Sequence, residues 1–148
     1  MKIGFTSTQE GMTKDQRIWL NTFINDFKPV EFHHGDCIGS DSEAHELVKL
    51  IYPECKIIIH PPLNKSKRAF NEGTQILKEK KYLERNKNIV NLTDILIGTP
   101  KENEEILRSG TWSTIRFAKK RNKSFHIILP NGKIKNEFSY NFLKGVKY

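Results

Sequence analysis

Two cysteines, six prolines and no apolar run long enough to cross a bilayer are the first features of this chain of 148 residues. The scarcity of cysteine excludes a disulfide-built scaffold. Cys37 is expected just past the end of one strand and Cys55 at the start of the next, which in a parallel pair sets them roughly 15 Å apart, beyond the reach of a disulfide. Both are expected to be free thiols. Met1–Thr6 is too short an apolar run for a signal peptide, so a cytoplasmic protein without a membrane partner is expected. Proline and glycine do not cluster into linkers and no repeat is visible, which points to one domain over 1–148. A chain of this length buries roughly two-thirds of its unfolded surface without a staple. His33, His34, Asp36 and Cys37 invite a metal reading, but adjacent histidines on a strand point to opposite faces, so neither metal nor cofactor is expected.

Charge is present and uneven. The formal net charge is +8, with residues 1–74 holding nine Lys/Arg against ten Asp/Glu and residues 75–148 holding sixteen against seven. A basic second half favours phosphorylated ligands or nucleic acid, as well as a solvated lysine-rich face.

Five nearly continuous apolar runs read as buried strands: 2–6, 30–34, 56–60, 94–98 and 124–129. Between them lie helical patterns. Thr13 and Gln16 have capping-box spacing ahead of Leu20, Phe23, Ile24 and Phe27, and Pro29 closes that helix. Ser40 and Glu43 repeat the spacing ahead of Ala44, Leu47, Val48 and Ile51, with Pro53 beyond. Residues 63–72 read as a long basic loop, 74–91 as a helix, Ser109–Asn122 as another, and the tail 131–148, with Phe138, Phe142 and Val146, as a short packing helix. Alternating strands and helices with apolar strands predict an α/β domain: a Rossmann-like, doubly wound, mainly parallel five-stranded sheet flanked by helices.

In such sheets ligands bind at the carboxyl ends of the strands. Three loops predicted at that edge suit a phosphate: Thr6-Ser7-Thr8, then Gly35-Asp36 with Gly39-Ser40, and above all Ser109-Gly110-Thr111, where a helix opens behind the strand ending near Pro100. The first N–H groups of that helix lack intrahelical partners, the dipole end is positive, and Gly110 lets an anion approach the backbone. The bland alternative is an ordinary Ser or Thr N-cap. Trp112 reads either as a base-stacking surface or as helix core. Asp36 reads as a ribose ligand or a turn residue. Asp41 and His45, one helical turn apart, read as a ligand pair or as a pair fixing the loop. Lys67 and Arg68, with Lys65, are candidates for a lid.

Three segments carry a resemblance: Gly35-x-x-Ile38-Gly39-Ser40-Asp41-x-x-Ala44-His45, Glu84-Arg85-Asn86-x-x-Ile89-Val90, and Ser109-Gly110-Thr111-x-x-Thr114-x-x-x-Ala118. Over about residues 1–130 this order resembles the SLOG superfamily of Rossmann-like nucleotide-binding domains, which includes the DNA-processing protein DprA and the Lonely Guy (LOG) phosphoribohydrolases. The resemblance implies nucleotide binding and homo-oligomers. It makes Arg85, with Glu84 and Asn86, similar to the segment holding the catalytic Arg of the LOG enzymes, which cleave the N-glycosidic bond of a nucleoside monophosphate. LOG enzymes carry an acid three residues after the Thr of their Gly-rich motif; here that residue is Thr114, as in the DprA branch, which binds single-stranded DNA.

The leading expectation is binding of a nucleotide or nucleotide-derived signal, for sensing or sequestration. Arg85 is its first candidate contact, because guanidinium offers bidentate and permanently charged recognition; an exposed helix Arg paired with a neighbouring Glu is the alternative. A nucleotide N-glycosidic hydrolase is the second expectation, with Glu10, Asp36, Glu84 or the acidic loop Glu102-Glu104-Glu105 supplying a carboxylate. DprA-like binding of nucleic acid is the third, and its affinity would fall steeply with salt.

Overall fold

The computed structural model describes residues 1–137. It is an α/β sheet structure with the strands β1 (Lys2–Ser7), β2 (Glu31–His34), β3 (Lys56–Ile59), β4 (Gln75–Ile76), β5 (Ile95–Thr99), β6 (Ser124–Ile128) and β7 (Ile134–Glu137). Four helices connect them: α1 (Lys14–Phe27), α2 (Ser40–Ile51), α3 (Tyr82–Asn91) and α4 (Gly110–Lys120). The strand order is β4-β3-β2-β1-β5-β6-β7, parallel throughout except for the β6–β7 pair. After β1 the chain winds outward through β2, β3 and β4, then returns to place β5 on the other side of β1. The order therefore reverses between β1 and β5, and the loops after these strands must part there, opening a crevice at their carboxyl ends.

Apolar faces on both sides of the sheet explain why helices cover both. Ile3, Phe5, Phe32, Ile57, Ile59, Ile95 and Ile97 pack with Leu20 and Ile24 of α1 and with Ala44 and Val48 of α2. Leu96, Phe125 and Ile127 point the other way, into a second core with Ile89 and Val90 of α3 and Trp112, Ile115 and Ala118 of α4. Alternation within β5, with Ile95 and Ile97 on one face and Leu96 on the other, is the period-two geometry of a strand buried on both sides.

Local signals act where chemistry is strong. Thr13 caps α1 through the reciprocal bonds with Gln16, and Lys28 ends the helix in the left-handed region. The second expected capping box does not form. Gly39 is the N-cap of α2 and makes no side-chain bond, while Glu43 instead accepts from the Met12 amide at 2.8 Å and pairs with Arg17.

The sheet has seven strands where five were expected, and both additions lie at its edges. Thr74 hydrogen-bonds the Ile57 backbone in both directions, through its amide and its Oγ1, and the Leu77 amide donates to the Ile59 carbonyl at 2.9 Å. That pairing draws Gln75–Ile76 onto β3, so the helix expected from residue 74 begins only at Tyr82. After Leu129 a turn through Gly132, at φ 87°, folds Ile134–Glu137 back onto β6 as an antiparallel strand rather than a packing helix. Phe138, Phe142 and Val146 lie outside the described residues. No helix among the described residues is long and apolar enough to cross a membrane.

Candidate functional site

A cleft of about 440 Å³ opens where the strand order reverses. Its floor and near wall come from β1 and the loop that follows it, Phe5 to Glu10; Gly35 and Cys37 follow β2, and Lys101 and Glu102 follow β5. Two helices complete it. From α4 come Ser109, Gly110 and Thr111, and from α3 come Tyr82, Arg85, Asn86 and Ile89, which at helical spacings of three, one and three form a single stripe.

The α4 corner is open. The Ser109 side chain caps the helix by accepting from the Trp112 amide at 3.2 Å, and the Ser113 amide donates to the Ser109 carbonyl. The amides of Gly110 and Thr111 have no acceptor among the described residues. A Cβ built on Gly110 meets nothing within 4 Å beyond its chain neighbours and its own helix, and Gly110 and Thr111 both line the cleft. Thr114 does not reach the cleft: its Oγ1 donates back to the Gly110 carbonyl at 2.7 Å, within the helix.

Arg85 faces the same cleft, yet it is buried and largely committed. Nη1 donates to the carbonyls of Gly35 at 2.6 Å and His60 at 3.1 Å, and Nε donates to Asn86 Oδ1 at 2.7 Å. Nη2 has only the long contact to Cys37 Sγ at 3.7 Å. A bidentate grip on a ligand through Nη1 and Nη2 is therefore closed, and Nη2 is the nitrogen left to turn outward. The neighbouring-Glu alternative does not apply, since Glu84 is exposed, does not line the cleft and pairs with Lys80 at 3.9 Å. Gly35 is required by this arrangement: a Cβ there would sit 2.3 Å from Arg85 Nη1 and 3.0 Å from Asp41 Oδ2.

Asp41 turns inward from the first turn of α2. It accepts from Ser7 Oγ at 2.6 Å and from the amides of Gly35 and Cys37, each at 3.2 Å. Burial raises its pKa, opposed by the Arg85 charge and by these hydrogen bonds. In the loop after β2 the amides of Gly35 and Cys37 are thus spent on the protein's own carboxylate, that of Asp36 on His34 and that of Ile38 on the Lys67 carbonyl, so none of these four is offered to an external phosphate. Burial, together with the Asp41 charge, also pushes the Cys37 thiol up, which makes it a poor nucleophile.

Several expected contacts lie elsewhere. Asp36 is fully buried with φ 56° and is absent from the cleft wall. It accepts from Arg68 Nε at 3.1 Å and from the amide and side chain of Asn71, both at 3.0 Å, and so ties down residues 68–71. Arg68 also pairs with Glu79, so it is a strut under the loop, and exposed Lys67 does not line the cleft either. Gly39 and Ser40 pack against the first loop: the Ser40 amide donates to the Thr8 carbonyl at 3.1 Å, and a Cβ on Gly39 would lie 2.1 Å from the Gln9 carbonyl oxygen. Pro100 gives its carbonyl to Gln16 Nε2 at 2.8 Å. Trp112 is core, with Nε1 donating to Glu102 at 3.0 Å.

Four of the five histidines form two pairs. His33 Nδ1 lies 2.8 Å from His60 Nε2 and its Nε2 lies 2.8 Å from Glu31, while His34 Nε2 lies 2.9 Å from His45 Nδ1. His45 thus pairs with His34 rather than with Asp41. The Asp36 amide donates to His34 Nδ1, so neutral His34 carries its proton on Nε2 and His45 Nδ1 accepts it. Burial, then the neighbouring His33, Arg85 and Lys80, lowers the His60 pKa to about 3. No group of three or more metal-ligating side chains gathers among the described residues. Cys37 and Cys55 are both free thiols.

The basic excess of the second half does not collect at the cleft. Two cations, Arg85 and Lys101, face three carboxyl side chains, Glu10, Asp41 and Glu102. Lys101 is itself paired with Glu10 at 2.7 Å. Residues that the motifs did not mark, Phe5, Gln9, Cys37 and Tyr82, complete the wall together with Ile89 of the second motif. Tyr82 and Ile89 were within reach of the sequence as the α3 stripe through Arg85; the others depend on tertiary placement. Comparison with protein-family models, with curated proteins and with solved structures yields no match for this chain.

Proposed function

We propose that the cleft binds a nucleotide or nucleotide-derived signal, for sensing or sequestration, in a Rossmann-like domain of the SLOG type. The observation that carries this reading is the open α4 corner: two unpaired backbone donors at the positive end of an eleven-residue helix, on residues that line the same cleft as Arg85. Such a corner favours an anion by dipole and by hydrogen bonds together. With carboxylates at the rim, the anion that fits is one phosphate carried by a larger neutral body, rather than a long polyanion. The mixed charge of the wall also ranks a DprA-like single-stranded DNA interface below a small ligand. Assembly into homo-oligomers is proposed on the resemblance alone.

Isothermal titration against nucleoside monophosphates, ADP-ribose and cyclic nucleotides tests the reading, with Gly110→Ala as control. The added methyl enters open space in the protein but stands where the anion would sit. Expected are binding by the wild type and at least tenfold weaker binding by Gly110→Ala with undiminished stability. Absence of binding to every compound overturns the reading.

A hydrolase acting on an N-glycosidic bond is the second reading, favoured by Glu10 and Glu102 at the rim. Both are engaged, Glu10 by Lys101 and Glu102 by Trp112, so either must exchange a partner to act. Chromatography for free base after incubation with nucleoside monophosphates decides it: unchanged substrate across the series retires the enzyme.

A further inference from the structure

The α3 wall of the cleft holds hydrogen-bonding capacity that the protein leaves unused. Tyr82 lines the cleft, and its hydroxyl is buried without a hydrogen-bond partner. One turn later, Asn86 gives its side-chain oxygen to Arg85 Nε, which fixes the amide and leaves Nδ2 with no acceptor among the described residues. The Arg85 guanidinium lies 5.3 Å from the Tyr82 ring centroid and steadies that ring. Phe5 and Ile89 add apolar surface to the same cleft. A flat ring, an apolar floor and unspent polar atoms together suit a planar heterocycle with hydrogen-bonding edges.

We propose that Tyr82 determines specificity, its hydroxyl hydrogen-bonding the base of the bound nucleotide beside the Asn86 amide. The inference rests on the nucleotide reading and assigns the part of the ligand that the α4 corner leaves unaccounted for. Buried hydroxyls nearly always have partners, and one without is a cost to the folded protein. Tyr82 belongs to the cleft wall, so the occupant of the cleft is the partner this proposal gives its hydroxyl, which a slight turn of the ring must bring to the ligand because the oxygen is closed to solvent.

Tyr82→Phe separates this role from a structural one, because it removes only the hydroxyl. Binding of the four common nucleoside 5′-monophosphates and of ribose 5-phosphate, which has no base, is measured by calorimetry for both proteins, together with thermal unfolding. Expected for the variant are roughly tenfold weaker binding of the monophosphate that the wild type binds best, unchanged binding of ribose 5-phosphate, and an unfolding temperature equal to or above that of the wild type. Equal affinity of the two proteins for that monophosphate overturns the Tyr82 proposal and leaves the nucleotide reading standing. So does an equal loss for ribose 5-phosphate, or a lowered unfolding temperature. If the wild type binds none of the five compounds, the nucleotide reading fails and this proposal fails with it.

Discussion

Acid should unfold this protein early, and the reason is its histidines. All five are buried, and in all five the pKa is lowered with burial as the largest cause. A histidine whose folded pKa lies below its unfolded value binds fewer protons in the folded state. Its contribution is therefore complete above the unfolded pKa and is lost as pH falls toward the folded one. For His60, lowered from 6.5 to about 3, the window runs between those values. Its share of the loss is about 1.4 kcal/mol per pH unit, or about 3 kcal/mol by pH 4.5. His33, His34, His45 and His126 add losses of the same sign. Asp41 titrates in the opposite sense, because a raised pKa favours the folded state in acid, and it offsets part of one histidine's share. Against a typical total of about 5–15 kcal/mol for a domain, the sum is large. Urea unfolding followed by circular dichroism at pH 7, 6, 5 and 4.5 measures it, with His60→Gln as partner because a side-chain amide can replace the Nε2 donor to His33. Expected are a steep decline below pH 6.5 in the wild type and a shallower one, by about one proton, in the variant. A free energy flat from pH 7 to 4.5, or identical slopes for the two proteins, refutes the reasoning.

Other substitutions probe the frame around the cleft. Arg85→Met leaves the Gly35 and His60 carbonyls and the Asp41 carboxylate without their cation, and should cost about 3–5 kcal/mol in urea unfolding. A cost below about 1 kcal/mol would mean that Arg85 is not a structural member of the site. Asp36→Asn removes the charge that holds Arg68 and Asn71, and should cost about 2–3 kcal/mol. Faster tryptic cleavage at Lys65 and Lys67 is its local signature, and unchanged cleavage would contradict the anchoring role.

The parts of this fold legible in the sequence are those where one interaction dominates. Apolar runs such as Ile95–Ile97 and Ile57–Ile59 declare strands covered on both faces, and Thr13 with Gln16 declares a helix start, because burial and capping act locally. The edge strands do not declare themselves. Gln75–Ile76 has two residues, and Ile134–Glu137 only one apolar side chain, so both exist because β3 and β6 present unpaired backbone groups for them. At the cleft, Ser109-Gly110-Thr111 and Arg85 could be singled out as a helix opening and a permanent cation. What could not be read was which polar groups would already be spent. Asp41 uses the amides after β2, Asp36 turns inward to hold a loop, and Arg85 gives Nη1 and Nε to the protein, outcomes set by a tight turn within residues 35–41, by contacts between residues 25 to 50 positions apart and by adjacent side chains on one helix.

The most direct measurement is an amide-resolved NMR titration of the isotopically labelled protein with nucleoside monophosphates. Saturable shifts of the Gly110 and Thr111 amides, with those of Tyr82 to Asn86 following at the same dissociation constant, are the predicted result. Shifts confined to the basic end of α4 at Lys119 and Lys120, or no saturable shift at Gly110, would contradict the account.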